Sequence, residues 1–484
     1  MLFNSIEYLI FLPAVFLIYW ALRGRLLWQN MFVVCASYLF YGWWDWRYLM
    51  LIAGYSLWSY AAAATLERTE SPLKRKVVLW ATVSAFVGVL FTYKYLDFFI
   101  RGFSKLLAAV GLSADWVTLN LVLPIGISFF TFQALGYVID VYRGKVRACH
   151  DPVAFFAFLS FFPQLVAGPI ERAGALLPQL QHQRSFHYGE AVMGMKQILW
   201  GLFKKMVIAD NCAKAVSYIF FNYDVLSGWN LWLGALFFTC QIYGDFSGYS
   251  DIAIGSARLL GIRLTDNFIF PFFSNNVAEL WRRWHRSLNQ WFVDYLYIPL
   301  GGSRRGWLTT IRNLLIIFGL SGLWHGAAVT YVAWGLFNAF AMIIYLAWRK
   351  AAPCIGIHSG RIKRQPIMAR IGHWLSVFLT FAVLCIGFVI FRCGSIGHAV
   401  SYLSRMFTFA PESLEPFKYT GMLLCYIGAF LIIEFINRNR SFGFDFPSSG
   451  LLRFKVARWG LCWLMAMATF LLAESSSEFI YFQF

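Results

Sequence analysis

The sequence predicts an all-α protein that crosses a membrane many times, and three properties of the chain lead to that fold class. Of its 484 residues, 60% are hydrophobic and only 13% are charged, whereas soluble domains carry about 25% charged residues. A soluble protein of this length needs more polar residues to cover its surface. Aromatic residues make up 20% of the chain, including 21 Trp, as is typical of belts at the two membrane interfaces.

The apolar segments provide about a dozen candidate spans, since a spanning helix needs about 20 mostly apolar residues. The candidates are 6–22, 29–44, 47–65, 77–99, 118–139, 152–167, 190–209, 230–260, 313–347, 374–391, 419–436 and 457–473. We expect 230–260 to be broken, and 313–347 to be broken near its first third. The first segment lacks a basic region before it and a small-residue cleavage site after it, so we predict a retained helix. No fixed-period repeat or low-complexity linker divides the chain, which predicts one membrane domain over 1–484.

The charge distribution predicts an orientation rather than a nucleic-acid partner. The formal net charge is +18, but the basic residues lie in short loops between apolar segments, as the positive-inside rule requires. Segments 349–370 and 438–458 are basic and are predicted to be cytoplasmic, whereas 393–417 is predicted to lie outside. The nine cysteines show no CxxC pair, so we expect small buried hydrophobes, with neither disulfides nor a metal site.

His325 is an ionisable residue at membrane depth. Only 12 residues separate it from Arg312 in a basic loop, and a helix of that length spans about 18 Å, roughly half of the hydrocarbon core. Such a residue normally faces a cavity or a partner. A His with a pKa of about 6.5 accepts and returns a proton near neutral pH, which favours a general base. A hydrogen-bonded structural His in a helix break is the alternative.

Residues 262–312 contain many charges and aromatics but no clean apolar run of 20 residues, which predicts short interfacial or re-entrant helices. In Trp281–Gln290, helical spacing would place His285 near Asn289, with Arg282 and Arg286 alongside. One interpretation is an amphipathic helix at the cytoplasmic interface. The other is a basic, hydrogen-bonding wall for a phosphorylated acyl donor such as acetyl-CoA.

Residues 241–251 place several polar side chains inside an apolar segment. They are Gln241, Asp245, Ser247 and Asp251, with two glycines between them. They either line a cavity, or the segment kinks and packs closely through its small residues. The same two alternatives apply to the break at 161–170, and the residues alone do not decide between them.

The order of several long motifs resembles the membrane-bound O-acyltransferase family, in particular the bacterial branch that contains the alginate O-acetylation membrane subunit. The motifs are MLFNSIEYLIFLP at the start, YGWWDWRYL, LPIGISFFTFQ at 123–133, FPQLVAGPIER at 162–172, YGDFSGYSDIAIG at 243–255, WRRWHRSLNQWFVDYLYIPLGG at 281–302, LSGLWHGA at 320–327 and FIYFQF at the end. The resemblance implies a ring of about 11–13 transmembrane helices with re-entrant or interfacial helices around a central funnel. It implies a catalytic core over about 118–348, followed by C-terminal helices over 374–473.

The resemblance also implies site residues, substrates and partners. His325 in WHG would be the catalytic His and His285 the second characteristic His, with Trp324 beside them in the tunnel. Asn289 stands where the family usually has Ser or Thr. No cofactor is expected to be permanently bound, and acetyl-CoA is the implied acyl donor. In similar systems an SGNH-type O-acetyltransferase in the periplasm or at the surface completes delivery to a polysaccharide, which implies such a partner in a bacterial cytoplasmic (inner) membrane.

Three other functions stay open at this point. D-alanyl transfer to teichoic acid, which related bacterial members perform, needs a carrier-protein donor. A transporter would often show a repeat in two halves, which the sequence lacks. An enzyme that acylates lipids is a further alternative. The polymer itself is not identified by the sequence.

Overall fold

The computed structural model describes residues 1–112, 118–166, 168–352, 366–408, 414–447, 449–474 and 479–480. Within these ranges the chain forms helices and loops without a strand, which confirms the all-α fold class. The helices are α1 (Ile6–Ala21), α2 (Leu26–Gly42), α3 (Leu49–Arg68), α4 (Pro72–Lys94), α5 (Leu96–Ala109), α6 (Ile127–Tyr142), α7 (Pro152–Ser160), α8 (Phe162–Leu165), α9 (Ala173–Gln181), α10 (Tyr188–Phe203), α11 (Asp210–Phe221), α12 (Gly228–Leu259), α13 (Val277–Arg283), α14 (Arg286–Phe292), α15 (Trp307–His325), α16 (Val329–Ala351), α17 (Pro366–Arg392), α18 (Ile396–Arg405), α19 (Thr420–Asn437) and α20 (Lys455–Leu472).

Among the described residues, seven helices are long and apolar enough to cross a membrane. They are Trp46–Arg68, Pro72–Lys94, Trp307–His325, Val329–Ala351, Ile367–Arg392, Thr420–Asn437 and Lys455–Leu472. Three other predicted spans correspond to the shorter apolar helices Ile6–Ala21, Ile127–Tyr142 and Pro152–Leu165. The protein is therefore a multi-pass membrane protein. Most of the predicted loop 349–370, and FIYFQF apart from Phe479 and Ile480, lie outside the described residues.

The two predicted helix breaks have different outcomes. The break in 313–347 is confirmed, because α15 ends at His325 and α16 begins at Val329. The break in 230–260 is wrong, because α12 runs without interruption for 32 residues. Its glycines provide close packing instead: a Cβ at Gly248 would lie 2.8 Å from the carbonyl oxygen of Gly201. Close packing through small residues, one of the alternatives for residues 241–251, therefore describes Gly248.

The helices group into two compact units, Met1–Ile198 with Tyr249–Thr265 and Leu199–Gly248 with Asp266–Phe484. The first unit joins α1 to the end of α12 through buried hydroxyls. The Tyr8 hydroxyl lies 2.7 Å from Ser256 Oγ, and the Tyr19 hydroxyl donates to the carbonyl oxygen of Leu260 at 2.8 Å. The description of the chain as one domain stays a prediction.

The second unit contains a closely packed helix pair, α15 with α16. A Cβ at Gly322 would lie 2.2 Å from the carbonyl oxygen of Tyr331, and one at Gly335 would lie 2.1 Å from that of Phe318. Each glycine thus faces the backbone of the opposite helix, where no flexible side chain can yield. This contact fixes the C-terminal end of α15, where His325 lies.

Replacing Gly322 by Ala is expected to separate α15 from α16 and to lower stability by about 1–3 kcal/mol through overpacking. Thermal unfolding of the detergent-solubilised protein measures this loss. Gly319→Ala is the matched control, because a Cβ there meets only Leu336 Cδ2 at 3.9 Å, and alanine favours helix formation. Equal unfolding temperatures for the two variants would contradict the packing argument.

Candidate active site

His285 lies between two short helices of the second unit. It follows α13 and precedes α14 with φ 42° and ψ 53°, in the left-handed region. That conformation costs a non-glycine residue about 1–2 kcal/mol, so the surrounding structure must hold it in place. The side chain is buried, with the residue 2% exposed. Its ring meets Phe246 of α12 in a T-shaped contact, with centroids 4.6 Å apart.

His325 is the last residue of α15 and is 6% exposed. Three aromatic rings surround its imidazole at steep angles: Trp324 at 4.8 Å, Trp334 at 5.0 Å and Phe391 at 5.2 Å between centroids. Trp334 belongs to α16 and Phe391 to α17, so three helices contribute to this environment. Aromatic walls of this kind exclude water from an imidazole.

Trp324 connects the two histidines. Its ring centroid lies 5.7 Å from that of His285 and 4.8 Å from that of His325. The structure therefore brings together His285, Trp324 and His325, which the sequence separates by 40 positions. Two buried imidazoles that contact the same indole can move protons in a water-poor environment, where a neutral imidazole acts as a base.

The expected single helical face is wrong for Arg282, which belongs to α13, but Asn289 still lies one turn after His285, whose carbonyl oxygen accepts its backbone N–H at 3.1 Å. The chain leaves the helical conformation at Trp284 and His285, so α13 and α14 do not share one face. Arg282 is exposed and Arg286 is half-buried. The side chain of Asn289 reaches back to donate to the carbonyl oxygens of Trp281 and Trp284. A role for Arg282 and Arg286 toward a phosphorylated donor stays a prediction.

Asp245 and Ser247 of α12 contact two buried lysines that the sequence analysis missed. Lys205 Nζ lies 2.8 Å from carboxylate oxygens of both Asp245 and Asp210. Lys204 Nζ donates to Ser247 Oγ at 2.8 Å. The two lysines and their three partners, Asp210, Asp245 and Ser247, are all buried. Two adjacent lysines inside the predicted span 190–209 were the available indication, because charges in such a segment are rare unless they are paired.

The same network extends to α19 and to the end of the chain. The Tyr243 hydroxyl donates to both carboxylate oxygens of Glu434, at 2.9 and 3.1 Å. The backbone N–H of Ile480 donates to Asp245 Oδ2 at 2.6 Å. Phe246 lies between Asp245 and Ser247 in sequence, yet its ring contacts His285. One face of α12 thus supports the His285 turn, while its neighbours form the buried charge network.

Gln241 and Asp251, the other two candidates from α12, are placed differently. Gln241 is half-buried in the second unit, and its Oε1 has no hydrogen-bond partner. Asp251 belongs to the first unit, where Gln197 Nε2 donates to its Oδ1 at 2.8 Å. The described residues contain no group of three His, Cys, Asp or Glu side chains that could hold a metal ion.

Protonation of His285 is expected to make stability depend on pH. His285 lies outside the seven apolar spans, and burial lowers its pKa to about 3. An unfolded His titrates near 6.5, so between these values the unfolded chain binds a proton that the folded protein does not. Stability should therefore fall as the pH drops from about 6.5 toward 3. Unfolding temperatures measured across this range should fall less steeply for His285→Asn, whereas a variant of the exposed His187 should follow the original curve. Identical slopes for His285→Asn and the unchanged protein would contradict this expectation.

Comparison with known proteins adds evidence that is independent of this geometry. The model of the membrane-bound O-acyltransferase family matches residues 145–390, which include both histidines. A probable alginate O-acetylase of Pseudomonas putida is 33% identical, with 100% of each chain covered. A peptidoglycan O-acetyltransferase of Helicobacter pylori is 32% identical over 98% of this chain and 90% of its own.

A more distant relative is a teichoic acid D-alanyltransferase of Bacillus subtilis, which is 28% identical over 56% of this chain and 69% of its own. All of these relatives carry the name of a group-transfer enzyme, which favours an enzyme over a transporter. The resemblance inferred from the motifs is confirmed by the family match and by the full-length similarity. The chain belongs to the membrane-bound O-acyltransferase family.

Proposed function

We propose that this protein takes an acetyl group from acetyl-CoA on the cytoplasmic side of a bacterial inner membrane and passes it across, for O-acetylation of an exported or cell-surface polysaccharide. The observation that carries the proposal is the buried pair His285 and His325, both in ring contact with Trp324. Two O-acetylating relatives that match nearly the whole chain favour acetyl as the acyl group. A glycan such as alginate, cellulose or peptidoglycan is the proposed final acceptor.

His325 is the proposed general base. Its imidazole takes the proton of an acceptor hydroxyl while the hydroxyl oxygen forms a bond to the acyl carbon. The C–S bond of the thioester breaks, and the thiolate of the donor receives the proton from the imidazolium. His325 is thereby returned to its neutral form. The aromatic rings around it keep water, which would hydrolyse the thioester, away from the reaction.

His285 is the second proposed catalytic residue, and Phe246 of α12 packs against its ring. Burial keeps its imidazole neutral, so the ring can accept or donate a hydrogen bond to the acceptor or to the thioester carbonyl. The ring of Trp324 contacts both imidazoles. These roles assign the acid–base work to His325 and the orientation of the reacting groups to His285.

An SGNH-type O-acetyltransferase outside the cytoplasm is the proposed partner. A buried site within a membrane protein suits a small acceptor hydroxyl better than a long polymer, so a second protein would deliver the acetyl group to the glycan. Cells that lack this partner should release CoA from acetyl-CoA in their membranes but show little acetylated polymer. Full acetylation of the polymer by the purified membrane protein alone would contradict the need for a partner.

The competing function is D-alanyl transfer, which the similarity to a teichoic acid D-alanyltransferase favours. Purified protein in lipid vesicles would be given either radiolabelled acetyl-CoA or a D-alanyl carrier protein, each with a small hydroxyl acceptor. We expect CoA release and labelled ester from acetyl-CoA only. Ester formation from the carrier protein, with no turnover of acetyl-CoA, would replace acetyl by D-alanyl as the transferred group.

A further inference from the structure

Asn289 joins the end of α13 to the start of α14. Its Nδ2 donates to the carbonyl oxygen of Trp281 at 2.7 Å and to that of Trp284 at 2.6 Å. Both partners are carbonyl oxygens, so the carboxamide must present its NH₂ group to them, and both of its N–H donors are used. The backbone N–H of Asn289 also donates to the carbonyl oxygen of His285 at 3.1 Å. Asn289 thus forms hydrogen bonds both to the residues that precede His285 and to His285 itself.

The residues after His285 are held from another element. The backbone N–H of Arg286 donates to the carbonyl oxygen of Asn267 at 2.9 Å, and Ser287 Oγ donates to Asn267 Oδ1 at 2.9 Å. Asn267 thus holds the chain that follows His285, while Asn289 holds the helix end that precedes it. Between them, the strained left-handed conformation at His285 has hydrogen-bonded anchors on each side.

We propose that Asn289 is a positioning residue for His285 rather than a residue that contacts the acyl donor or acceptor. This proposal rests on the proposed function, since it assigns Asn289 an indirect role in the same reaction. The two donors of its side chain are directed at the backbone of α13 and not into the space beside the imidazole. Without them, the left-handed turn has lost one of its two anchors, and the His285 ring moves relative to Trp324 and Phe246.

The number of donors at position 289 determines the expected activity. Asn289→Ala has none and is expected to lower kcat about tenfold, since a small displacement of a catalytic group is costly. Asn289→Ser keeps one hydroxyl donor and should recover part of that loss. Asn289→Asp, which places a carboxylate against two carbonyl oxygens, should be less active than Asn289→Ala. KM for acetyl-CoA should change less than about twofold in Asn289→Ser and Asn289→Ala.

The side-chain ¹⁵N spectrum of the histidines provides a readout that does not depend on the substrate. The chain has 8 His, and loss of one signal in His285→Gln assigns His285. That signal should shift or broaden in Asn289→Ala and less so in Asn289→Ser. Gln290→Ala is the matched control: it removes a neighbouring exposed side chain whose Nε2 donates to Asp294 at 2.8 Å, and it should leave both kcat and the signal unchanged.

Two results would overturn the proposal. One is an unchanged kcat together with an unchanged His285 signal in Asn289→Ala. The other is a tenfold higher KM for the donor or acceptor with the signal unchanged, which would make Asn289 a substrate contact. If Asn289→Ala fails to fold, the same criteria apply to Asn289→Ser. If the unchanged protein does not turn over acetyl-CoA, the proposed function fails, whereas the His285 signal still tests the role of Asn289.

Discussion

Replacement of His325 by Ala is expected to lower acyl transfer by about a hundred- to ten-thousand-fold, the range that a general base contributes. The imidazole is buried among three aromatic rings at the end of α15. The measurement is the acetyl content of extracellular polysaccharide in cells whose only copy carries the substitution, with membrane expression compared with the unchanged protein. A second measurement is CoA release by the purified variant.

His398→Ala is the control for the loss of a packed imidazole. His398 lies in the same unit, and its ring packs against Tyr223 with centroids 4.5 Å apart, but it belongs to α18 and not to the site. We expect this variant to keep its activity. Normal acetylation by a stably expressed His325→Ala protein would make His325 structural, and the D-alanyl and transport functions would then need to be tested first. A His325→Ala protein that binds the acyl donor normally but transfers no acyl group would instead argue against a transporter.

The helix end at His325 could be predicted, because the expected break near the first third of 313–347 lies close to it. Arg312, which the sequence analysis placed in a basic loop, instead lies inside α15. The structure ends α15 at His325 as expected. The contact of Gly326 with Tyr331, where a Cβ would lie 2.4 Å from the ring, gives that glycine a steric reason that the sequence does not reveal.

The conformation of His285 could not be predicted, because residues far along the chain determine it. Helical propensity favours a continuous helix through Trp281–Gln290, and a non-glycine residue rarely adopts a positive φ. The hydrogen bonds of Asn267 and Asn289 override that preference. The expected basic wall of Arg282 and Arg286 assumed one continuous helix, but α13 ends at Arg283.

The polar residues of α12 were recognised, but not their partners. Asp245 and Ser247 stood out as polar groups in an apolar segment, while Lys204 and Lys205 lie about 40 positions earlier, at the start of a π-helical turn, Lys204–Ala209. In that turn the N–H of Asp210 donates to the carbonyl oxygen of Lys205. Asp210 and Lys205 are therefore five residues apart and still in contact, a spacing that the regular helical period does not predict.

Replacement of Lys205 by Met is expected to destabilise the second unit by about 3–5 kcal/mol, the cost of removing one partner of a buried ion pair. Lys205 is fully buried, and its ammonium lies 2.8 Å from both Asp210 and Asp245. Methionine has a similar length and fills the same space without the charge. Two carboxylates then lack this cation in a low-dielectric environment. Thermal or denaturant unfolding of the detergent-solubilised protein measures the difference.

Lys214→Met is the matched control, because Lys214 forms an ion pair of 2.6 Å with Glu474 but is half exposed. Exposed pairs contribute about 0–1 kcal/mol, so this variant should unfold close to the unchanged protein. Equal losses of stability in the two variants would show that the buried ion pairs of Lys205 contribute no more to stability than the exposed pair of Lys214. Adding Asp245→Asn to Lys205→Met should restore part of the stability, because it removes one of the uncompensated carboxylates. The amide oxygen of Asn can still accept the Ile480 N–H that Asp245 Oδ2 accepts at 2.6 Å, so the recovery measures the charge and not the loss of that hydrogen bond.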